Sequence, residues 1–158
     1  MSVVELGPIV KTVLVRRSAD DAFRIFTEEI SAWWPMRTHT RARTASGEVT
    51  ARVSIEARVG GRVFETLADG RELEWGEVSA YEPGAVFAMT WRMGRPAAQF
   101  TDVSVRFEPL EAEACRVTLT HANWQRLGAE GEQQRKGYDN GWIAVFEQGF
   151  GGYAGLKG

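Results

Sequence analysis

The chain has 158 residues, of which 44% are apolar and 25% charged, with 19 Lys and Arg against 21 Asp and Glu for a formal charge of −2. A chain of this length buries roughly 70% of its unfolded surface, enough for one compact domain without a metal or disulfide staple. The composition excludes a disordered or collagen-like chain, and the near-even charge excludes a global attraction to nucleic acid or anionic lipid.

Cys115 is the only cysteine, so an intramolecular disulfide and the usual zinc motifs are excluded. The first ten residues lack a basic region followed by a long apolar run, and no apolar stretch reaches the ~18 residues of a membrane span. A reducing cytoplasm is the expected location, with no membrane and no nucleic acid among the partners. The eight Phe, six Trp and three Tyr are unusual in so short a chain. They imply either a very full core or a cavity lined by rings.

In chain order, Val10 to Val15 reads as a strand, with Val13 and Val15 in one phase. Ser18-Ala19-Asp20-Asp21 is a capping pattern, and Phe23, Phe26 and Ile30 continue at helical spacing, which predicts helix from about Ala19 to Trp33. Pro35 stops it. Val49, Ala51, Val53 and Ile55 then alternate with Thr50, Arg52, Ser54 and Glu56. Gly60-Gly61 turns into a strand from Arg62 to Leu67, Asp69-Gly70 is a hairpin signal, and Glu72 to Tyr81 is the next strand, closed by Pro83-Gly84. Phe87, Met89, Trp91 and Met93 share one phase, as do Val103, Val105 and Phe107, and then Cys115, Val117, Leu119 and His121. Such half-buried strands predict an antiparallel sheet with one covered face.

Glu132 to Gly155 reads as one long helix, about 36 Å at 1.5 Å per residue. Trp142, Phe146, Phe150 and Tyr153 form its apolar stripe. A curved sheet wrapped around this helix is the economical way to bury both apolar faces. The fold class is therefore α+β, of helix-grip type.

Gly60-Gly61-Arg62-Val63-Phe64-Glu65, Asp69-Gly70, Trp75-Gly76-Glu77-Val78, Tyr81-Glu82-Pro83-Gly84 and Trp91 resemble the signature of a bacterial family. That family is similar to the C-terminal domain of the heat-shock-protein-90 ATPase activators, in the START/SRPBCC superfamily. Trp33-Trp34-Pro35, Val105-Arg106-Phe107-Glu108-Pro109, Val117-Thr118-Leu119-Thr120-His121, Trp124 and Gly141-Trp142 extend the resemblance over nearly the whole chain. It implies a single helix-grip domain over 1–158. Its curved seven-stranded antiparallel sheet surrounds the long C-terminal helix, with two short helices after the first strand.

His121 closes a strand in the inward phase. It reads as a histidine satisfied by a backbone carbonyl, with a general base as the sharper alternative. Glu65 shares phase with Val63 and Leu67. Pointing outward it is a surface acid; pointing inward it needs a partner such as Arg92, Arg106 or a ligand amine. Glu77 has no assigned direction, because Gly76 signals a bulge that shifts the phase, and it is open to pairing with His121 as acid and base.

Arg37, His39, Arg41 and Arg43 form a basic stretch, read as a solvated loop; the functional alternative is a mobile lip attracting an anionic ligand or acidic partner. In the last helix, Gly149 and Gly152 are placed to leave space against the sheet, while from Gly151 onward the glycines suit a fraying end. Cys115 reads as buried. His39 and His121 are the only histidines, no cluster has metal-ligand spacing, and no P-loop, GxGxxG or GxSxG is present, so neither metal nor cofactor is expected.

The sequence thus predicts a hydrophobic cavity between helix and sheet. Its expected lining is Trp33, Trp75, Phe87, Met89 and Trp91 from the first half, Phe107, Leu119 and His121 from the last strands, and Trp142, Phe146 and Phe150 from the helix. The leading expectation is binding of a small lipophilic molecule without chemistry. Two alternatives stay open: a co-chaperone-like module with a protein partner, and a cyclase or hydrolase of polycyclic substrates using His121 or Glu65. The chain is expected to be a monomer or homodimer.

Overall fold

A computed structural model describes residues 6–156. β1 (Ile9–Val15) leads into α1 (Ala19–Glu28), α2 (Ile30–Trp33) and α3 (Arg41–Ser46). Six strands follow: β2 (Thr50–Ile55), β3 (Arg62–Leu67), β4 (Glu72–Glu82), β5 (Val86–Trp91), β6 (Thr101–Glu111) and β7 (Ala114–Ala122). Trp124–Glu130 winds in 3₁₀ turns ahead of α4 (Gly131–Trp142), a π-helical stretch over Ile143–Phe150, and α5 (Gly151–Leu156). The strands form one sheet in the order β1-β7-β6-β5-β4-β3-β2, each neighbouring pair antiparallel, curled as a half-barrel around the C-terminal helix. This is the helix-grip fold.

The Ser18 hydroxyl accepts from the Asp21 N–H at 3.1 Å and starts α1. The helix does not run unbroken to Trp33, because Glu29 (φ −105°, ψ 23°) leaves helical geometry between α1 and α2. Trp34 is extended (φ −70°, ψ 132°), as the residue before a proline prefers. The basic stretch that follows is not a loop throughout. The Thr40 side chain accepts from the Arg43 N–H, α3 forms over Arg41–Ser46, and Gly47 ends it at φ +74°.

Two sheet irregularities change the predicted phases. A register shift in β2 between Thr50 and Arg52 turns Thr50 and Val53 inward and leaves Val49 and Ala51 exposed. In β4, shifts beside Gly76 and Val78 bury Trp75, Gly76 and Val78 and turn Glu77 out to solvent. Glu77 therefore does not meet the buried His121.

Along α4, the π-helical stretch and α5, Trp142, Phe146 and Phe150 are all buried. Over Ile143–Phe150 the helix winds in the wider π form, and Phe146 and Phe150 stay buried along it. Gly149 opens no space there: a β-carbon on it would lie 3.0 Å from the Trp33 carbonyl oxygen, whereas one on Gly152 would meet nothing within 4 Å. None of the helices among the described residues is long and apolar enough to cross a membrane.

Gly76 is where sheet geometry is most demanding. A β-carbon there would sit 1.8 Å from the Thr90 carbonyl oxygen on β5. Gly76→Ala is therefore expected to cost at least about 3 kcal/mol in urea unfolding, well above an ordinary surface substitution. An unchanged urea midpoint would contradict this account of the bulge.

Candidate functional site

Glu65 is completely buried on β3. A carboxylate withdrawn from water needs donors, and four converge on it. Oε1 accepts from the Arg41 N–H and from Trp75 Nε1–H, each at 2.6 Å; Oε2 accepts from the Ala42 N–H at 3.1 Å and from the Thr50 hydroxyl. Neither Arg92 nor Arg106 is its partner. Arg92 pairs with Glu74, and neutral N–H and O–H groups do the work on Glu65. The arrangement fastens the start of α3 to β2, β3 and β4. Arg41 adds a bond from Nη1 to the Glu74 carbonyl at 2.8 Å.

His121 is equally buried at the end of β7. Trp142 Nε1–H donates to its Nδ1 at 3.0 Å. An indole N–H can only donate, so the imidazole proton sits on Nε2, which lies 2.7 Å from the Thr101 hydroxyl. Trp124 packs on the ring with centroids 4.1 Å apart. Burial holds the His121 pKa down to about 3, against an ordinary 6.5. Both nitrogens are thus occupied by side chains rather than by the backbone carbonyl expected, and the ring is fully buried. Cys115 is buried, and burial pushes its thiol pKa up. No group of three or more His, Cys, Asp or Glu among the described residues is arranged to hold a metal.

The space expected between helix and sheet is largely filled. An inner apolar void of about 20 Å³ remains, bordered by Trp75, Phe87, Met89, Trp91, Leu119 and Trp142 from the predicted set, together with Trp34, Phe26 and other core residues. Trp33, Phe107, His121, Phe146 and Phe150 do not line it. Trp33 and Phe150 pack on Phe26, and Phe107 packs edge-on to Phe23. Phe146 stacks on Phe150 at 5.7 Å. Rings this size close a core once they interdigitate.

Next to the void is a cleft of about 100 Å³, open to solvent, between α3 and its approach, the end of β5, and α4. Its walls are Trp34, Trp91, Met93, Trp142 and Val145, with His39, Thr44, Tyr138 and Gly141 around them. The Tyr138 hydroxyl accepts from Trp91 Nε1–H at 2.9 Å, and burial raises its pKa, so it keeps a proton of its own to donate. Two roomier grooves, of about 370 and 690 Å³, lie open on the surface at β2 and at the β6–β7 turn. Neither has a comparable aromatic cluster among its walls.

Trp34 and Tyr138 were missed in the sequence. Tyr138 extends the stripe of Trp142, Phe146 and Phe150 by one four-residue step toward the N-terminus. Trp34 carries no such spacing signal, because the helix breaks at Glu29 and α2 ends at Trp33, leaving Trp34 on extended backbone.

No protein-family model and no curated protein sequence matches the chain. Solved structures do. An anthrahydroquino-γ-pyrone synthase is 29% identical, with a TM-score of 0.58 over 85% of this chain and 88% of that one. CalC, a self-sacrificing resistance protein from Micromonospora echinospora, is 23% identical, with a TM-score of 0.67 over 96% of each chain. The Aha1 dimer from Colwellia psychrerythraea is 15% identical, with a TM-score of 0.58 over 91% of this chain and 96% of that one. The resemblance carried by the turns and core thus holds for the fold, and the neighbours include both the Aha1 dimer and a synthase.

Two consequences are measurable. Removing the Glu65 carboxylate strands several buried donors at a typical ~1–3 kcal/mol each, so Glu65→Ala is expected to lose at least about 3 kcal/mol in urea unfolding. Amide exchange at Arg41 and Ala42 should accelerate with it; unchanged exchange there would contradict the role given to the carboxylate. For His121, the folded pKa lies below the unfolded value, so the unfolded chain binds the extra proton between pH 6.5 and about 3. Its contribution is complete above pH 6.5 and falls as the solution is acidified. The loss from pH 7 to 5 is expected to be about 2 kcal/mol greater in the wild type than in His121→Gln. Equal pH profiles would contradict it.

Proposed function

We propose that the protein binds a small, flat, lipophilic molecule in the cleft between α3, the end of β5 and α4, and that binding rather than chemistry is its role. The cleft itself carries this reading: three indoles, a Met and a Val make flat apolar walls, while the Tyr138 hydroxyl, Thr44 and His39 supply a few polar contacts to orient a guest. Its size suits a guest of about two fused rings, below the ~300 Å³ of a typical drug-sized pocket. The 29% identity to a synthase named for an anthrahydroquino-γ-pyrone supports a fused aromatic guest.

The same likeness favours a second reading, a cyclase or hydrolase of polycyclic substrates. In that case the groups at the cleft that can move protons are Tyr138 and His39, because Glu65 and His121 are engaged within the protein.

A thermal-shift screen with 2-naphthol, 1,4-naphthoquinone and 2-methylnaphthalene tests the binding reading. A guest at 100 times its Kd adds about 2.7 kcal/mol, or roughly 5–10 °C in Tm for a chain of this length. Tyr138→Phe is expected to weaken 2-naphthol by about three- to tenfold, the worth of one hydrogen bond, and to leave 2-methylnaphthalene unchanged. Silence from all three probes would overturn the reading.

A further inference from the structure

We infer that the cleft and the inner void are two compartments of one site, and that Trp34 divides them and sets how long a ring system the protein accepts. The inference rests on the binding reading above. Three indoles, Trp34, Trp91 and Trp142, line both spaces. Two of them are fixed to the frame. Trp91 sits on β5 and donates to Tyr138 on α4, and Trp142 donates to His121 on β7, a ring itself held by Thr101. Trp34 is held differently. Its Nε1–H donates at 2.7 Å to the carbonyl of His39, only five residues along the same connection. Its backbone lies between the last turn of α2 and Pro35, outside any helix or strand. The Trp34 indole is therefore the one wall of the three whose hydrogen bond ties it to a loop rather than to the sheet or the long helix.

The two compartments differ in chemistry. Beyond Trp34 the walls are Phe26, Ile30, Ile55, Val63, Phe87 and their apolar neighbours, so a hydrogen-bonding group of the guest entering there would lose its water without gaining a partner. On the near side, the Tyr138 hydroxyl, Thr44 and His39 can meet polar atoms. The class of ligand this selects is a fused-ring aromatic with its oxygen substituents confined to one end. The bare end displaces Trp34 and enters the inner void, and the oxygenated end stays at Tyr138. A two-ring guest fits the outer compartment alone and leaves Trp34 in place.

Calorimetric binding of 2-naphthol and 2-anthrol, with two and three fused rings and one hydroxyl, to the wild type, Trp34→Phe and Trp34→Ala tests the division. Removing the indole takes one wall from both guests, so 2-naphthol is expected to weaken, while only the longer guest gains the inner space; the ratio of 2-anthrol to 2-naphthol affinity is expected to rise by about tenfold. Trp34→Phe should fall between, and it decides the matter if Trp34→Ala does not fold. An unchanged ratio of the two affinities in the folded variants would overturn the role of Trp34 and leave binding in the cleft intact. Failure of both probes to bind any of the proteins would overturn the binding reading and this inference together.

Discussion

A carboxylate withdrawn from water is tolerated only where donors converge on it, and in this fold that requirement at Glu65 decides where α3 sits. Two of the donors are the first backbone N–H groups of α3, a third is the Thr50 hydroxyl at the start of β2, and the fourth is the Trp75 indole on β4. One side chain thus satisfies a helix start and pins it across three strands. The cleft depends on this, since Thr44 on α3 and His39 just before it form one side, and the His39 ring lies across from Gly141 on α4. A short helix of six residues has little stability of its own, so its position must come from such tertiary bonds.

The second constraint is the amount of ring to be packed. Tryptophans 34, 75, 91 and 142 meet at centroid separations of 4.7 to 6.3 Å, and Phe26, Phe146, Phe150 and Trp33 fill the space beneath α1 and α2. The indole N–H of Trp142 in turn fixes the buried His121 as a neutral ring. A core closed in this way leaves its two interior ionisable candidates tied up within the protein. Accessible chemistry is displaced to the edge of the tryptophan cluster, where Tyr138 retains a proton to donate and the walls are still flat and apolar.

Much of the fold was legible because alternation and turn chemistry are local. The phases of Phe87-Met89-Trp91, Val103-Val105-Phe107 and Cys115-Val117-Leu119-His121 all face inward as expected. Where a bulge intervened, local reading lost the phase: Val49 was expected alongside Val53 but is exposed, and Glu77 could not be placed until the shift beside Gly76 was seen. The inward turn of Glu65 was one of two readings, but its partners could not be found by charge matching, because backbone N–H groups satisfy it and these carry no sequence signature. The site was read as an interior cavity because helix and sheet both showed apolar faces. Whether facing rings interdigitate or stand apart depends on rotamers, and here they interdigitate to about 20 Å³ of free space. Trp91 and Trp142, expected in the lining, do border the outer cleft, while Trp34 emerges only when the turn before Pro35 is seen in three dimensions.

The central claim is that a guest enters beside Trp34, Trp91 and Trp142 and not elsewhere. The six indole N–H signals of a ¹⁵N-labelled sample, followed while 2-naphthol is added, address it directly. The account predicts that the signals of Trp34, Trp91 and Trp142 move together with a single saturating dependence, while that of Trp124, behind His121, stays in place. Movement confined to Trp124 and Trp33, or no movement of any indole at saturating 2-naphthol, would contradict it.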